Sequence, residues 1–398
     1  MDAASNPFEP GAGNQPPELA GRDEVREKVR IALERAKRGR SARGLILPGL
    51  RGVGKTVLLR QIGRDAAAAG GVVVTLEAPE QRSLPALLIP QLRVALLQLS
   101  RVAAAKEHAE RAMRVLTGFT RALRVKYQDI EVSLSGEAEE GFGDNGDLEQ
   151  DLQTLLVQVG AAAAAARKPV LILIDELQYV KVTELGALLS ASHRLSQEAL
   201  PVMLIGAGLP QLLARMAKAK SYAERLFEYP RVDALPEEAA RRALVKPAAD
   251  EGAAFEEEAL AEILRQTRGY PYFLQEWGKH AWDFAERSPI TLDDVVAASA
   301  AAVLALDEGF FRVRLDRVTP MERRYLRAMA ELGEGPHRSG DVAEQMNRSL
   351  ESLGSTRDKL IRKGMIWSPA YAEIAFTVPM FDRYLKRVIP DAEADEEP

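Results

Sequence analysis

Residues 49–62 read GLRGVGKTVLLRQI. Gly49 and Gly54 bracket Leu50-Arg51-Gly52-Val53, and Lys55-Thr56 follow before the chain turns apolar at helical spacing. This pattern suits a loop whose backbone N–H groups turn inward onto phosphate oxygens. Glycines permit the dihedrals that this requires, and the N-terminus of a following helix adds a favourable dipole. The context fits: a strand candidate, GLILPG, enters the loop, and VLLRQIGRDAAAAG leaves it as a helix ending at Gly70. Gly49, Leu50, Arg51, Gly52, Val53, Gly54, Lys55, Thr56 and Val57 would then surround a bound nucleotide. Lys55 would reach the β- and γ-phosphates, and Thr56 would ligate Mg²⁺. Arg51 faces either solvent or the phosphates. The alternative, a glycine-rich turn that happens to contain a lysine, does not account for the flanking strand and helix.

The second half of such a site is LILIDELQYV, residues 171–180. Four apolar residues lead to Asp175-Glu176, which completes a Walker A and Walker B pair. Asp175 at a strand tip would hold Mg²⁺ through water, and Glu176 would polarise the attacking water. Either carboxylate alone could cap a strand-to-helix turn. An adjacent Asp-Glu pair predicts hydrolysis of the nucleotide rather than binding alone.

GLILPG, GVVVTLEA (71–78), PVLILID and PVMLIGAG (201–208) are four apolar strands separated by helical stretches, which predicts a parallel α/β sheet. The first helix carries Val25, Val29, Ala32 and Leu33 at helical spacing, and further helices are expected over 84–125, 148–166 and 183–199. GEAEEGFGDNGD (136–147) is acidic and glycine-rich and reads as a mobile surface loop. After Leu235 the strands stop and amphipathic helices take over. The expected divisions are an extended lead-in at 1–18, a nucleotide-binding domain at 19–235, a helical lid at 236–315, a further domain at 316–390, and a disordered acidic tail at 391–398.

The composition, 46% apolar and 28% charged, is ordinary for a water-soluble globular chain. There is no run of eighteen apolar residues, so no transmembrane helix is expected, and the N-terminus lacks the pattern of a signal peptide. Zero cysteines exclude disulfides, thiolate zinc sites and cysteine nucleophiles, and the four scattered histidines make no metal cluster. The expected compartment is the cytoplasm. The net charge of −5 argues against a globally basic nucleic-acid coat, although the five acids of DAEADEEP (391–398) alone account for the excess.

GLRGVGKT, LILIDELQ and the helical continuation resemble the initiator-like AAA+ ATPases and the related STAND ATPases, often called archaeal-type ATPases. The resemblance implies a P-loop NTPase fold, AAA+-like: an α/β parallel sheet with helices on both faces, followed by a helical lid and a winged-helix domain. It implies ATP and Mg²⁺ as ligands and therefore an ATPase, converting ATP and water to ADP and phosphate; no guanine-reading Asn/Thr-Lys-x-Asp motif appears. PPELAGRDE (16–24) resembles the segment that holds adenine, and is equally an ordinary proline-rich helix start. MLIGAGLPQL (203–212) stands where the family places a polar sensor, but this chain has Gly206-Ala207-Gly208. Within SYAERLFEYPRVDAL (221–235), Arg225 resembles an arginine finger acting on a neighbouring protomer; its other reading is a surface ion pair with Glu224 or Glu228. Gly269 and Pro271 resemble the Gly-x-Pro motif of STAND lids, which couples nucleotide state to the lid, and Arg268 could act as a sensor. Trp277 and Trp282 read as lid core.

Residues 316–390 resemble a winged helix-turn-helix: three helices, then a wing hairpin from Ile366 to Val378. The segment carries thirteen bases and ten acids, and 347–363 alone carries five bases against two acids. Arg348, Arg357, Lys359, Arg362 and Lys363 could meet the phosphates of double-stranded DNA, with Ser352 and Ser355 near base edges. The wing tip, Ala370-Tyr371-Ala372-Glu373, has no base. The winged helix therefore reads either as a DNA reader or as a dock for a protein partner. Self-association is the condition for Arg225 to act in trans.

Overall fold

The computed structural model describes residues 1–11, 13–78, 83–126 and 144–389. Most of the acidic stretch 136–147, and the whole tail 391–398, lie outside the described residues. The chain divides into two compact units. One comprises Arg22–Gly49 and Lys55–Val232; the other comprises Met1–Gly21, Leu50–Gly54 and the chain from Asp233 onward.

The first unit is built on five strands: β1 (Gly44–Pro48), β2 (Val72–Glu77), β3 (Val170–Asp175), β4 (Val202–Gly208) and β5 (Phe227–Glu228). They lie in the order β2-β3-β4-β1-β5, all parallel. Every residue of β3 is buried, which is why VLILID runs apolar without alternation: both of its faces are covered. At the edge, β2 buries Val72, Val74 and Leu76 and exposes Thr75 and Glu77.

Around the sheet stand α1 (Asp23–Lys37), α2 (Lys55–Ala68), α3 (Leu84–Leu99), α4 (Lys106–Lys126), α5 (Leu148–Ala166), α6 (Val182–Gln197), α7 (Leu212–Ala219) and α8 (Ala223–Leu226). Adjacent residues of β3 show that both faces are covered. A Cβ on Gly63 of α2 would lie 3.1 Å from Leu173. Ile172 and Ile174, which alternate with it, join one apolar cluster with Leu156 and Val159 of α5 and Leu185 and Leu188 of α6. The strand β5 has only two residues and so no period by which to be read from sequence.

The second unit is largely helical: α9 (Glu237–Asp250), α10 (Glu257–Thr267), α11 (Pro271–Phe284), α12 (Leu292–Leu306), a π-helical turn (Asp307–Phe311), α13 (Arg312–Leu315) and α14 (Pro320–Glu331). Then follow β6 (His337–Arg338), α15 (Ser339–Gln345), α16 (Leu350–Arg362), β7 (Ile366–Trp367), β8 (Glu373–Phe376) and α17 (Phe381–Val388). The three short strands form an antiparallel sheet in the order β6-β8-β7, so the expected hairpin is present and gains a third strand. Capping boxes start α12 and α14, Thr291 with Asp294 and Thr319 with Glu322.

An aromatic seam runs through this unit. A Cβ on Gly52 would lie 2.9 Å from Tyr270 and 3.3 Å from Phe310. Phe310 stacks on Tyr272 at 4.6 Å, Phe310 meets Phe311 edge-on at 5.4 Å, and Phe311 stacks on Tyr384 at 5.2 Å. Phe381 continues the seam to Phe376 of β8 at 5.8 Å. The Arg314 guanidinium lies 3.8 Å over the Phe310 ring, and burial, with the Arg51 charge, holds its pKa down to about 10.

Trp277 and Trp282 are buried, as expected of lid core. The lead-in, although extended, is not loose. Phe8 is 1% exposed and occupies the space that a side chain on Gly278 would need; a Cβ there would lie 2.7 Å from its ring. Asn6 donates to the Lys279 carbonyl at 3.0 Å, and the Trp282 indole donates to the Asp2 carbonyl at 2.9 Å. Phe8→Ala is expected to lower stability by about 3 kcal/mol if the lead-in stays docked, and less if it detaches. Urea unfolding measures the loss, and limited proteolysis of residues 1–11 tells the two cases apart.

Candidate active site

Strand β1 ends at Pro48, and the Gly49 N–H donates to the Gly208 carbonyl at 3.0 Å, tying the start of the loop to the end of β4. Gly52 and Gly54 have φ of 81° and 89°, left-handed values that favour glycine. A Cβ on Gly54 would meet nothing within 4 Å, so its backbone angle, not crowding, calls for glycine there. Lys55 opens α2 and is 6% exposed, its Nζ donating to the Gly49 carbonyl at 2.9 Å. The loop thus holds its lysine folded back across its own mouth. The Thr56 hydroxyl donates to Asp175 Oδ2 at 2.5 Å, across 119 residues of sequence.

Asp175 is 8% exposed. Burial raises its carboxyl above the usual range, with the Thr56 hydroxyl, the Glu176 N–H and the Lys55 charge pulling the other way and Glu176 adding to the rise. Glu176 adopts φ of 52°, a conformation that non-glycine residues occupy at a cost, and its N–H donates to Asp175 Oδ1 at 2.8 Å. The turn therefore aims the two carboxylates differently. Gln178 donates its amide N–H to Glu176 Oε2 and accepts from the Leu209 N–H at 3.0 Å.

Among the described residues no cluster of three or more His, Asp or Glu forms a metal site of its own. Thr56 Oγ1 and Asp175 Oδ2 converge as two hard oxygen donors, which fits a Mg²⁺ that completes its shell from phosphate oxygens and water. When bound, such an ion would offset charge on the transferring phosphoryl group.

Residues 18–205 match the family model described as AAA ATPase domain. This stretch resembles an AAA ATPase domain. Residues 308–385 match a second model, described as a domain of unknown function, DUF8462. No curated protein matches the chain. Among solved structures, the Walker-type ATPase PABY2304 of Pyrococcus abyssi is 15% identical with a TM-score of 0.60, covering 95% of this chain and 99% of its own. The RuvB Holliday junction branch migration motor of Thermotoga maritima is 17% identical at 0.45, over 92% and 95% of the two chains. Orc1 of Aeropyrum pernix, solved in complex with DNA, is 14% identical at 0.46, over 94% of each. Only the first is close enough to speak to the fold, which is that of an AAA+-like P-loop ATPase with a helical C-terminal part.

The AAA-like stretch gathers Gly49, Lys55, Thr56, Asp175 and Glu176 around the ends of β1, β3 and β4. Val57 stands in the first turn of α2 and is half-buried. Arg225 is exposed on α8 and makes no ion pair with Glu224 or Glu228 among the described residues. In the other unit, Gly269 has φ of 70°, and a Cβ there would overlap the Leu235 carbonyl oxygen. Pro271 stands in the first turn of α11, so the Gly-x-Pro pattern has a packing reason of its own. Arg268 is turned away to an ion pair with Glu334. Arg51, half-buried, brings its charge to bear on Arg314 and Tyr270.

On α16, Lys359 and Arg362 are exposed, as is Arg348 just before it. Arg357 is half-buried with its guanidinium 3.3 Å from Asp358. Lys363 corrects the expectation of a phosphate contact: its Nζ donates to Glu322 Oε2 at 2.6 Å and to the Arg317 carbonyl at 2.8 Å. Glu322 is 2% exposed, so its carboxylate requires a cation, and Lys363 is committed to it. Burial pushes the Glu322 carboxyl up; Lys363 and the Thr319 N–H more than offset this and leave it below the usual range.

Sequence reasoning passed over Gln178, although it stands three residues after Asp175. The available signal was Gly206 and Gly208, which imply that another residue fills their space. Since burial raises the Asp175 carboxyl, the stability tied to its protonated form is lost as pH rises through that raised pKa. Asp175→Asn should therefore stabilise the nucleotide-free protein at pH 8, by roughly 2–4 °C per kcal/mol recovered. The gap should narrow toward pH 5, as followed by thermal unfolding across that range.

Proposed function

We propose that this chain is a Mg²⁺-dependent ATPase of the AAA+/STAND switch type, whose nucleotide state governs DNA binding by a C-terminal winged helix. The observation that carries the hydrolytic half is the Thr56–Asp175 hydrogen bond beside a separately oriented Glu176. Lys55 exchanges the Gly49 carbonyl for the β- and γ-phosphates of ATP at the N-terminus of α2. Thr56 and Asp175 would hold the metal ion. Glu176 accepts a proton from the attacking water while Asp175 is occupied elsewhere. Arg225, exposed and without an ion pair among the described residues, acts on the site of a second protomer.

The order α14–β6–α15–α16–β7–β8 fits a winged helix, with α16 as the helix that meets DNA. Arg348, Lys359 and Arg362 offer the phosphate contacts. A second reading has one observation in its favour: Tyr371 at the wing tip is fully exposed, beside no base, as suits a dock for a protein partner. We propose the cytoplasm as the compartment.

Glu176→Gln is expected to bind ATP with near-native affinity and to lose turnover by about 10²-fold or more; unchanged phosphate release would remove Glu176 from its role. Duplex DNA binding should weaken linearly in log–log form as salt rises. Replacing Arg348, Lys359 and Arg362 together by Ala should reduce that slope by about 0.9 for each phosphate no longer neutralised. Absence of any duplex binding at low salt, with ATP held on Glu176→Gln, would favour the protein-docking reading.

A further inference from the structure

Strand β4 runs between β1 and β3, so its end lies between the loop and the Asp175-Glu176 turn, yet it brings no side chain there. A Cβ on Gly206 would lie 2.6 Å from Leu177 Cδ2 and 3.1 Å from Ile46 Cδ1, and one on Gly208 would lie 2.5 Å from Gln178 Oε1. The space that side chains of β4 would enter is filled by Leu177 and Gln178. Gln178 is 5% exposed, and both ends of its amide are used. The Leu209 N–H, 3.0 Å away, can be met only by an acceptor, so Oε1 faces it. The NH₂ must then face Glu176, whose Oε2 accepts from it.

We infer that Gln178 is a positioning residue for hydrolysis, holding the Glu176 carboxylate by one oxygen and leaving the other to accept from the attacking water. It does so in place of a polar side chain on β4. The inference rests on the hydrolytic reading above. A half-exposed glutamate has three freely turning side-chain torsions and would otherwise sample many orientations. The bond from Gln178, itself anchored to the backbone after β4, selects one of them. Proton acceptance depends on such placement, because a water and its base must meet within hydrogen-bond reach.

Gln178→Glu separates positioning from structure. It keeps the shape and the oxygen that faces the Leu209 N–H, and puts a second carboxyl group in place of the donor to Glu176, a charge that Gln178→Met does not add. The expected result is a fall in kcat of about 10²-fold, with KM for ATP within about threefold of wild type. Glu176→Gln is measured beside it, and the double variant should turn over no faster or slower than Glu176→Gln alone, since Gln178 acts through Glu176. Wild-type kcat in Gln178→Glu would overturn the inference, as would losses that multiply in the double variant. Unchanged turnover in Glu176→Gln itself would overturn the hydrolytic reading first, and is recognised in that single variant. Binding of a fluorescent ATP analogue and the urea midpoint report folding. If Gln178→Glu does not fold, Gln178→Met, similar in volume and without a donor, carries the same expected loss of kcat, and wild-type kcat there would equally overturn the inference.

Discussion

The hydrogen bond from Thr56 to Asp175 is the interaction on which the arrangement of the nucleotide-binding unit turns. It joins two residues separated by most of that unit's sequence, and it forms only if the C-terminal ends of β1 and β3 lie level. Parallel pairing through β4 provides this: Leu45 pairs with Ile205, and Leu173 pairs with the same Ile205, so one residue of the middle strand indexes both neighbours. A slip of one residue in either pairing would turn the affected strand's side chains to the opposite face. The burial of all six residues of β3 makes such a slip costly. Hydrophobic packing along the strands thus sets the distance between two polar atoms at their ends.

Those polar atoms are held against the preference of their surroundings. Asp175 is buried where burial raises its carboxyl above the usual range, and Glu176 is bent into a left-handed turn. The Thr56 hydroxyl, the Glu176 N–H and the Lys55 charge compensate at Asp175, and the Gln178 amide does so at Glu176. The glycines at the end of β4 belong to the same arrangement, since they give Leu177 and Gln178 room to fold back over the strand.

Much of this was legible in the sequence because it is written in local patterns. GLILPG, PVLILID and PVMLIGAG announce strands by apolar runs and GVVVTLEA by its β-branched residues, and 148–166 announces its helix to the residue. The phosphate loop and the Asp-Glu pair are legible because their chemistry demands particular residues at particular spacings. What escaped has no period or depends on partners far away. The strands β5 and β6 are two residues each. The α17 helix (FDRYLKRV) followed the hairpin without a turn signal strong enough to separate it. The basic count of α16 was right as a count, but it could not tell that Lys363 is bound to Glu322, because that bond depends on a carboxylate buried forty-one positions earlier in the chain. The anchoring of Phe8 against Gly278 is hidden for the same reason.

Gly52 carries two constraints at once. Its φ of 81° suits the phosphate loop, and the Tyr270 and Phe310 rings stand where its side chain would be. Relief of one constraint without the other achieves nothing. Over evolutionary time, therefore, positions 52, 270 and 310 are expected to drift as a set. A descendant that shortened the ring at 270 would gain tolerance for alanine at 52 only where the left-handed turn had also relaxed. An invariant glycine at 52 should thus accompany large aromatic residues at 270 and 310, a correlation legible in an alignment without reference to any activity.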